Sequence, residues 1–266
     1  ISKCFKKTMS SKNTQYKIKE LDLSMISPNE TNLNGNSGTK IAIIGKPGTG
    51  KSTIITRILY EKRHLIPNAM IISGTEDSNG HFAKFCPSIF IHSKYNENLI
   101  ESFIKRQKIA KQYCPQPWSF LILDDCTDDT RIFNKPLMQS IYKNGRHWKM
   151  LYILSLQYCM DVKPVVRSNT DGIFILKDNN IRNRKALYDN YCPSCIPNFN
   201  VFCELMDQLT ENYTALYINN TGSSNSIEDT IFYYKAPLTE ENWKFGCKDA
   251  WKFHYNRINH NAKTIF

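Results

Sequence analysis

Eight residues early in the chain have the spacing of a phosphate-binding loop. They fit the pattern G-x-x-x-x-G-K-[ST] and are Gly45, Lys46, Pro47, Gly48, Thr49, Gly50, Lys51 and Ser52, followed by Thr53. In such a loop the glycines let backbone amides fold around a di- or triphosphate, and the following helix start adds partial positive charge. Lys51 would reach the β- and γ-phosphates, and the Ser52 hydroxyl would bind Mg²⁺. The pattern predicts a nucleoside triphosphate site.

The residues on both sides of this loop agree with that interpretation. Residues 40–44 (Lys-Ile-Ala-Ile-Ile) are typical of a buried strand, and residues 54–59 (Ile-Ile-Thr-Arg-Ile-Leu) continue as a helix. A phosphate-binding P-loop requires this strand–loop–helix context. The alternative is a glycine-rich turn followed by a chance Lys-Ser pair, which would require neither a strand before it nor a helix after it.

Two adjacent acids end an apolar stretch further along the chain. Residues 120–125 read Phe-Leu-Ile-Leu-Asp-Asp, which predicts a strand that ends at Asp124 and Asp125. If that strand lies next to the P-loop strand, both acids face the γ-phosphate and the metal. We therefore expect Asp124 to support Mg²⁺ and Asp125 to polarise the attacking water. The alternative is a strand-end pair that only opens a turn.

Two further polar residues are candidates for the same site. Gln157 follows the next predicted strand, where a neutral amide can sense the γ-phosphate without competing for Mg²⁺, or can simply close the strand. Arg146 follows a predicted helix, and an arginine there could reach the γ-phosphate of a neighbouring subunit. The alternative for Arg146 is a structural residue, or one paired with Asp128 or Asp129.

The elements that must position these residues alternate between strands and helices. Several apolar runs do not alternate in polarity, which predicts an α/β fold with a mostly parallel central sheet flanked by helices. We expect strands near residues 16–23, 40–44, 69–73, 88–92, 119–124, 150–156, 171–176, 213–219 and 230–235, the last two pairing as an antiparallel edge. We expect helices near residues 51–63, 96–113, 133–145, 181–190, 199–210 and 239–254.

The chain divides by composition into a basic lead-in and one large domain. Residues 1–37 form the predicted N-terminal arm and lead-in strand, with a flexible stretch over 1–15 that carries Lys3, Lys6, Lys7 and Lys12. Residues 38–266 form the predicted P-loop domain. No apolar run approaches the length needed to span a membrane.

The charge and the cysteines limit the possible partners. The chain of 266 residues carries a net charge of +11, which favours a polyanionic partner such as nucleic acid, or reflects a lysine-rich proteome. Its nine cysteines are most simply reduced thiols. Cys192 and Cys195 have the spacing of a zinc knuckle, but no second pair of cysteines or histidines is evident.

With these residues in place, the chain resembles the genome-packaging ATPases of large DNA viruses of the poxvirus type, in the FtsK–HerA superfamily. The resemblance covers about residues 38–240. It rests on the P-loop, on Leu-Ile-Leu-Asp-Asp (121–125), on Asn-Gly-Arg-His (144–147) and on Leu-Ser-Leu-Gln (154–157), in that order. Residues 183–191, 202–213 and 229–236 add to it. The first two motifs are generic to P-loop ATPases, whereas Asn-Gly-Arg-His and Asp-Gln-Leu-Thr-Glu-Asn-Tyr (207–213) are more specific.

The resemblance implies a RecA-like sheet, a homo-oligomeric ring, and ATP hydrolysis with Mg²⁺ that drives double-stranded DNA into a capsid. It implies phosphate and metal binding by Lys51 and Ser52, metal support by Asp124, a sensor at Gln157 and an inter-subunit finger at Arg146. Capsid or membrane-associated virion proteins are expected partners, in the virion or the cytoplasmic virus factory of an infected cell. The superfamily commonly has Asp-Glu where this chain has Asp124-Asp125, so the water-orienting carboxylate is one methylene shorter.

Three other classes compete with this interpretation. A GTPase would need a guanine-recognition loop, and the nearest match, Leu-Lys-Asp-Asn at 176–179, lacks the required residues. A P-loop small-molecule kinase is possible, but the paired acids and Gln157 favour attack by water. A DNA-associated capsid protein that binds nucleotide without motor activity is the non-enzymatic alternative.

Overall fold

A ten-stranded sheet forms the centre of the molecule in the computed structural model, which describes residues 7–11, 14–35, 38–126 and 129–263. The strands are β1 (Lys7–Ser11), β2 (Thr14–Glu20), β3 (Lys40–Ile44), β4 (Asn68–Ser73), β5 (Ile91–His92), β6 (Ser119–Asp124), β7 (Met150–Leu156), β8 (Gly172–Ile175), β9 (Thr214–Asn219) and β10 (Ile231–Lys235). Their order is β1-β2-β10-β9-β8-β3-β7-β6-β4-β5. In the part of this order from β8 to β5, all neighbouring strands are parallel, so their C-terminal ends lie along the same side of the sheet.

Helices cover both faces of this sheet. In the described ranges they are α1 (Lys51–Lys62), α2 (Glu76–Asn79), α3 (Glu97–Tyr113), α4 (Pro136–Asn144), α5 (Pro164–Ser168), α6 (Ile181–Tyr191), α7 (Phe199–Leu209), α8 (Ile227–Thr230) and α9 (Lys248–Lys263). Most of these helices connect consecutive parallel strands, as right-handed crossovers in α/β folds do.

The apolar strands are buried because each face contributes to a different core layer. Ile41 and Ile43 of β3 share one layer with Ile54 of α1. Ala42 of β3 belongs to the layer on the opposite face, with residues of α3, α4 and α7. Every residue of β3, β6 and β7 is buried. The predicted α/β class, a mostly parallel sheet flanked by helices, is confirmed.

The sheet extends further at its N-terminal side than the sequence predicted. β9 and β10 pair antiparallel as expected, with Ile218 opposite Ile231. They do not form the edge, because β2 pairs parallel with β10 and β1 pairs antiparallel with β2. The predicted flexible stretch over residues 1–15 is wrong for Lys7–Ser11, which is a strand, whereas residues 1–6 and 12–13 lie outside the described residues. The division of the chain at residue 38 stays a prediction.

Two predicted elements near the C-terminal helix are shorter or displaced. The strand expected over residues 88–92 contains only Ile91–His92, because Ser88–Phe90 forms a 3₁₀ turn. The helix expected over 239–254 begins at Lys248 and ends at Lys263. Gly246 has φ +100°, which a helix excludes, and a side chain at Gly246 would collide with Phe90.

Phe245 anchors the irregular segment before α9 to the sheet. Its ring is fully buried between Phe90 and Phe120, at centroid distances of 6.1 and 5.7 Å. Its backbone N–H also donates to the Phe85 carbonyl at 2.8 Å. The Phe245 side chain therefore fixes the long segment between β10 and α9 to the core, and removing the ring would leave a cavity there.

We predict that Phe245→Ala lowers the free energy of unfolding by about 3–5 kcal/mol, since a large buried ring is removed. Urea-induced unfolding followed by circular dichroism measures the change. Phe253→Ala is the matched control, because Phe253 is 49% exposed on α9, and we expect a change within about 0.5 kcal/mol. Equal destabilisation by both substitutions would contradict the anchoring role.

Candidate nucleotide-binding site

The P-loop connects the end of β3 to the first turn of α1. Gly48 and Gly50 have φ values of +76° and +105°, in the left-handed region that favours glycine. The Thr49 hydroxyl donates to the Lys46 carbonyl at 2.7 Å and closes the turn. Ser52 and Thr53 lie partly exposed in the first turn of α1. The loop therefore presents backbone amides and a helix N-terminus to one cavity.

The Lys51 side chain points back into its own loop. It is 5% exposed, and its Nζ donates to the Gly45 carbonyl at 2.9 Å. The same Nζ lies 3.6 Å from Oδ1 of Asp125. The ammonium is thus held between the P-loop and the acid that follows β6.

Asp124 is a buried carboxylate with one unpartnered oxygen. It is 2% exposed; Oδ2 accepts a hydrogen bond from Ser73 Oγ at 3.4 Å, and Oδ1 makes no hydrogen bond of ordinary geometry with other described residues. Burial raises the pKa of the Asp124 carboxyl, and Asp125 adds to the rise. The hydroxyl of Ser155 and the ammonium of Lys51 oppose it. An orphaned buried carboxylate oxygen fits a metal-supporting role, because such a group needs a positive partner.

Asp125 takes its position from an unusual backbone conformation. Its φ is +48°, which turns the chain immediately after the strand and places the carboxylate beside Lys51. The Asp125 carbonyl lies so close to Gly74 that a side chain at Gly74 would approach it to 2.5 Å. Gly74 therefore belongs to the site, and no motif in the sequence indicated it.

The strand order corrects one expectation about the acids. β6, which ends at Asp124, is not next to the P-loop strand β3, because β7 lies between them. Gln157 follows β7 and is therefore the predicted polar residue beside the P-loop strand. The backbone N–H of Gly45 donates to the Leu156 carbonyl at 3.0 Å. The exposed Gln157 side chain lines a small cleft with Gly45 and Asp178, separate from the cavity over Lys51.

Arg146 lies at the opposite end of the parallel strands from the P-loop, just before β7 begins. It belongs to a 3₁₀ turn, Gly145–Trp148, that precedes β7, so the structure does not bring it together with the P-loop of its own chain. Its Nη2 lies 2.8 Å from Oδ1 of Asp171, and its side chain is 44% exposed. Asp129, a partner suggested by sequence, pairs with Arg131 instead, and Asp128 lies outside the described residues.

A second charge network supports the P-loop from the other side. The Lys46 ammonium lies 3.0 Å from Oδ1 of Asp178, which follows β8. Burial would raise the pKa of Asp178, but hydrogen bonds from Asn183 and Lys46 lower it overall. The Arg184 guanidinium donates to the Asp178 carbonyl at 2.6 Å and to the Asp207 carboxylate at 2.6 Å. The sequence did not predict these ion pairs, because their members are far apart along the chain.

A cavity of about 670 Å³ opens over the P-loop. Asp125 and Thr75, after β6 and β4, line one side. The other side is lined by Tyr213, which precedes β9, by Lys235 at the end of β10, and by Leu238, which follows β10. Its volume is that of a small-molecule site, and its floor is the P-loop with Lys51. The cavity can therefore hold a triphosphate at its centre with room for the rest of a nucleotide.

Neither zinc nor a membrane span finds support in the part of the chain that the structure describes. No three side chains of histidine, cysteine, aspartate or glutamate gather there as a metal site, so Cys192 and Cys195 lack further ligands. Within the same ranges, no helix combines the length and apolarity that crossing a bilayer requires.

Solved structures with the same fold are P-loop ATPases. The genome packaging NTPase B204 of Sulfolobus turreted icosahedral virus 2, in complex with AMPPCP, superimposes with a TM-score of 0.57 over 77% of this chain and 100% of that chain, at 16% identity. The pCW3 conjugation coupling protein TcpA, with ATPgS, gives 0.56 over 92% of this chain and 69% of that chain, at 12% identity. The fold and the P-loop define a P-loop ATPase-type domain.

Relatives by sequence come from large DNA viruses. "Uncharacterized protein 088R" of Invertebrate iridescent virus 3 is 49% identical over 88% of this chain and 91% of its own length. "Uncharacterized protein 015R" of Frog virus 3 is 35% identical over 95% of this chain and 79% of its own length. "Uncharacterized protein L437" of Acanthamoeba polyphaga mimivirus is 33% identical over 81% of this chain and 79% of its own length. No family model matches the chain. The chain belongs to this family of proteins from large DNA viruses.

These comparisons confirm the resemblance that the motifs predicted. The sequence relatives belong to large DNA viruses, and the fold is shared with a viral genome-packaging NTPase and a conjugation coupling protein. Because the solved structures are less than 20% identical, they establish the fold and leave the roles of individual residues to experiment.

We predict that Asp124→Asn stabilises the protein without nucleotide at neutral pH, because it removes a buried charge whose pKa is raised. A raised native pKa means that ionisation destabilises the folded state as the pH rises. The gain should therefore shrink as the pH falls toward the ordinary pKa of aspartate.

Chemical denaturation with a chelator present, at several pH values, measures this gain. Asp77→Asn, at an exposed position of α2, is the control and should change stability little. A loss of stability in Asp124→Asn at neutral pH would show that the carboxylate is compensated in the nucleotide-free protein.

Proposed function

We propose that this chain is an ATPase that drives double-stranded DNA into a capsid during viral genome packaging. The observation that carries the proposal is the grouping of Lys51, Asp124 and Asp125 at one edge of a sheet shared with a viral packaging NTPase. The net charge of +11 supports a polyanionic partner.

The P-loop binds the triphosphate of ATP. Backbone amides around Gly48 and Gly50 surround the phosphates, and the Lys51 ammonium moves from the Gly45 carbonyl to the β- and γ-phosphate oxygens. The Ser52 hydroxyl and the Asp124 carboxylate are the residues that would hold Mg²⁺. When bound there, Mg²⁺ would neutralise charge on the phosphate oxygens.

Hydrolysis depends on Asp125 and Gln157. Oδ1 of Asp125 lies 3.6 Å from the Lys51 ammonium, and the carboxylate lines the cavity over the P-loop. Transfer of the ammonium to phosphate releases Asp125 to orient the attacking water and accept its proton. Gln157, after the strand beside the P-loop strand, is the proposed sensor of the γ-phosphate, and to act so it would reach the phosphate from the separate cleft beside Gly45. The exchange of partners by Lys51 would couple binding to activation.

A ring of identical subunits completes the proposed mechanism. Head-to-tail rings place different surfaces of each subunit against one another. Arg146 lies at the sheet edge opposite its own P-loop and is half-exposed, so it is placed to act on a neighbour rather than on its own nucleotide. We assign it the role of trans-acting finger. The proposed setting is the virion or virus factory, with capsid or membrane-associated proteins as further partners.

We predict that the wild-type chain hydrolyses ATP faster when double-stranded DNA is added, and that Lys51→Ala abolishes turnover and weakens ATP binding while the fold persists. A phosphate-release assay with and without DNA, and circular dichroism of the variant, measure this. Lys105→Ala is the control, because Lys105 lies on the exposed face of α3. Lys62→Ala would not serve, since Lys62 is buried.

The outcomes separate the competing classes. DNA stimulation supports a motor, and ATP binding without turnover supports a nucleotide-binding capsid protein. Phosphate transfer to a small acceptor supports a kinase. Near wild-type turnover by Lys51→Ala would contradict the P-loop role itself.

We predict that Arg146→Ala retains ATP binding and assembly but loses DNA-stimulated hydrolysis by about 10³-fold or more, because an arginine finger stabilises charge in the transition state. Mixing Arg146→Ala with Asp125→Asn should restore part of the activity. Mixed rings contain interfaces in which an intact Asp125 faces an intact Arg146.

Arg146→Lys controls for structure, because a lysine retains an ion pair with Asp171. If mixed rings form and stay inactive, Arg146 acts within its own subunit or only structurally. The remaining candidate arginines are Arg131, Arg167, Arg182 and Arg184. A monomer that is fully active with DNA and ATP would exclude a trans-acting finger altogether.

A further inference from the structure

The segment between α7 and β9 has an energetically unfavourable backbone. Asn212 and Tyr213 both have positive φ values, +51° and +62°. Asparagine tolerates this region, but a bulky aromatic residue adopts it rarely. Such strain, held in place by the surrounding structure, is concentrated at functional sites.

The strain places an aromatic ring at the mouth of the P-loop cavity. Tyr213 is 70% exposed, and its side chain makes no hydrogen bond or ring contact with other described residues. A methyl group placed on Gly50 would lie 3.6 Å from Cδ1 of Tyr213, so the ring stands directly beside the P-loop. The ring also lines a second cavity of about 280 Å³ on its other side. Within the described residues, the ring is not part of the buried core.

The strand order sets the direction in which a nucleotide must extend. Asp124 ends β6 and Asp125 follows it, on one side of β3, so the γ-phosphate and metal would lie on that side. β9 and β10 lie on the other side of β3, and Tyr213, Lys235 and Leu238 belong to them or their connections. A triphosphate bound with its γ-phosphate at Asp125 therefore directs its sugar and base toward Tyr213.

We propose that Tyr213 binds the nucleobase by stacking, and this inference rests on the proposed binding of a nucleoside triphosphate at the P-loop. The exposed ring supplies a flat apolar face, and Leu238, 87% exposed on the same side of the cavity, supplies further apolar surface. Every nucleobase has a π-face, so stacking binds bases without strong discrimination. The residue thus contributes affinity for the base, and purines, with their larger rings, bind more tightly than pyrimidines.

The test compares ligands with and without a base. Isothermal titration calorimetry measures binding of ATP, CTP and tripolyphosphate, each with Mg²⁺, to the full chain. Tyr213→Ala should bind ATP about 5- to 100-fold more weakly, because one stacked base contributes on that scale. Its affinity for tripolyphosphate should be unchanged, since that ligand has no base.

Two further substitutions at this position separate the ring from the backbone. Tyr213→Phe keeps the ring and should bind ATP like the wild type. Tyr213→Asn removes the ring but tolerates the positive φ, so it should fold at least as well as the wild type and still bind ATP weakly. Tyr113→Ala, which removes a tyrosine 80% exposed at the end of α3, is the matched control.

Each outcome decides the inference. Wild-type ATP affinity in Tyr213→Ala and Tyr213→Asn overturns it. Equal weakening of ATP and tripolyphosphate also overturns it, because Tyr213 would then support the P-loop rather than the base. A wild-type chain that binds ATP but shows no DNA-stimulated hydrolysis would refute the motor while leaving this binding test valid. A wild-type chain that binds neither ATP nor tripolyphosphate overturns both the proposed nucleotide site and the stacking role of Tyr213.

Discussion

The Lys51 ammonium is the group on which the arrangement of the site depends. It lies where the P-loop, the first turn of α1 and the end of β6 meet, between the Gly45 carbonyl and the Asp125 carboxylate. The buried Lys51 cation and the buried Asp124 carboxylate are each costly alone, and their proximity to each other and to the partly exposed Asp125 offsets part of that cost. Oδ1 of Asp124 and Oδ1 of Asp125 make no hydrogen bond with other described residues. Under the proposed function, these oxygens and the Lys51 ammonium are the groups that would engage the metal and the phosphates.

Several unfavourable backbone conformations surround this group. Asp125 has a positive φ, its carbonyl packs against Gly74, and Tyr213 has a positive φ on the far side of the cavity. Such conformations survive only where the surrounding sheet and helices fix them. Here the fixed surroundings are the fully buried strands β3, β6 and β7. The rigid packing of these strands allows residues at the C-terminal side of the sheet to hold strained backbone conformations.

The two ends of β3 carry different charge networks. Its last residue leads into the P-loop, whereas Lys40, its first residue, donates its backbone N–H to Asp171 at 2.9 Å. Asp171 also holds Arg146. One short strand thus joins the nucleotide edge to the edge that bears the proposed trans-acting arginine. In a head-to-tail ring, this geometry would connect the nucleotide of one subunit to the interface with the next.

Much of the fold was predictable because the signals were local. The P-loop, the buried strands around it and helices such as α1, α3, α6 and α7 follow from periodicity and glycine spacing, which depend on neighbours in the chain. The start of α9 was not predictable, because the φ of Gly246 and the hydrogen bond between Phe245 and Phe85 depend on packing against the core. The pairing of β2 with β10 likewise joins distant segments.

For the site, the sequence by itself determined the chemical groups: a lysine and serine after a glycine-rich loop, two acids and a glutamine at strand ends. Only the tertiary structure decided their arrangement. The insertion of β7 between β3 and β6, the Gly74 contact with Asp125, the Lys46–Asp178 ion pair and the position of Tyr213 all depend on strand order. Strand order is set by which apolar faces pack together across the whole sheet, and no local pattern encodes that choice.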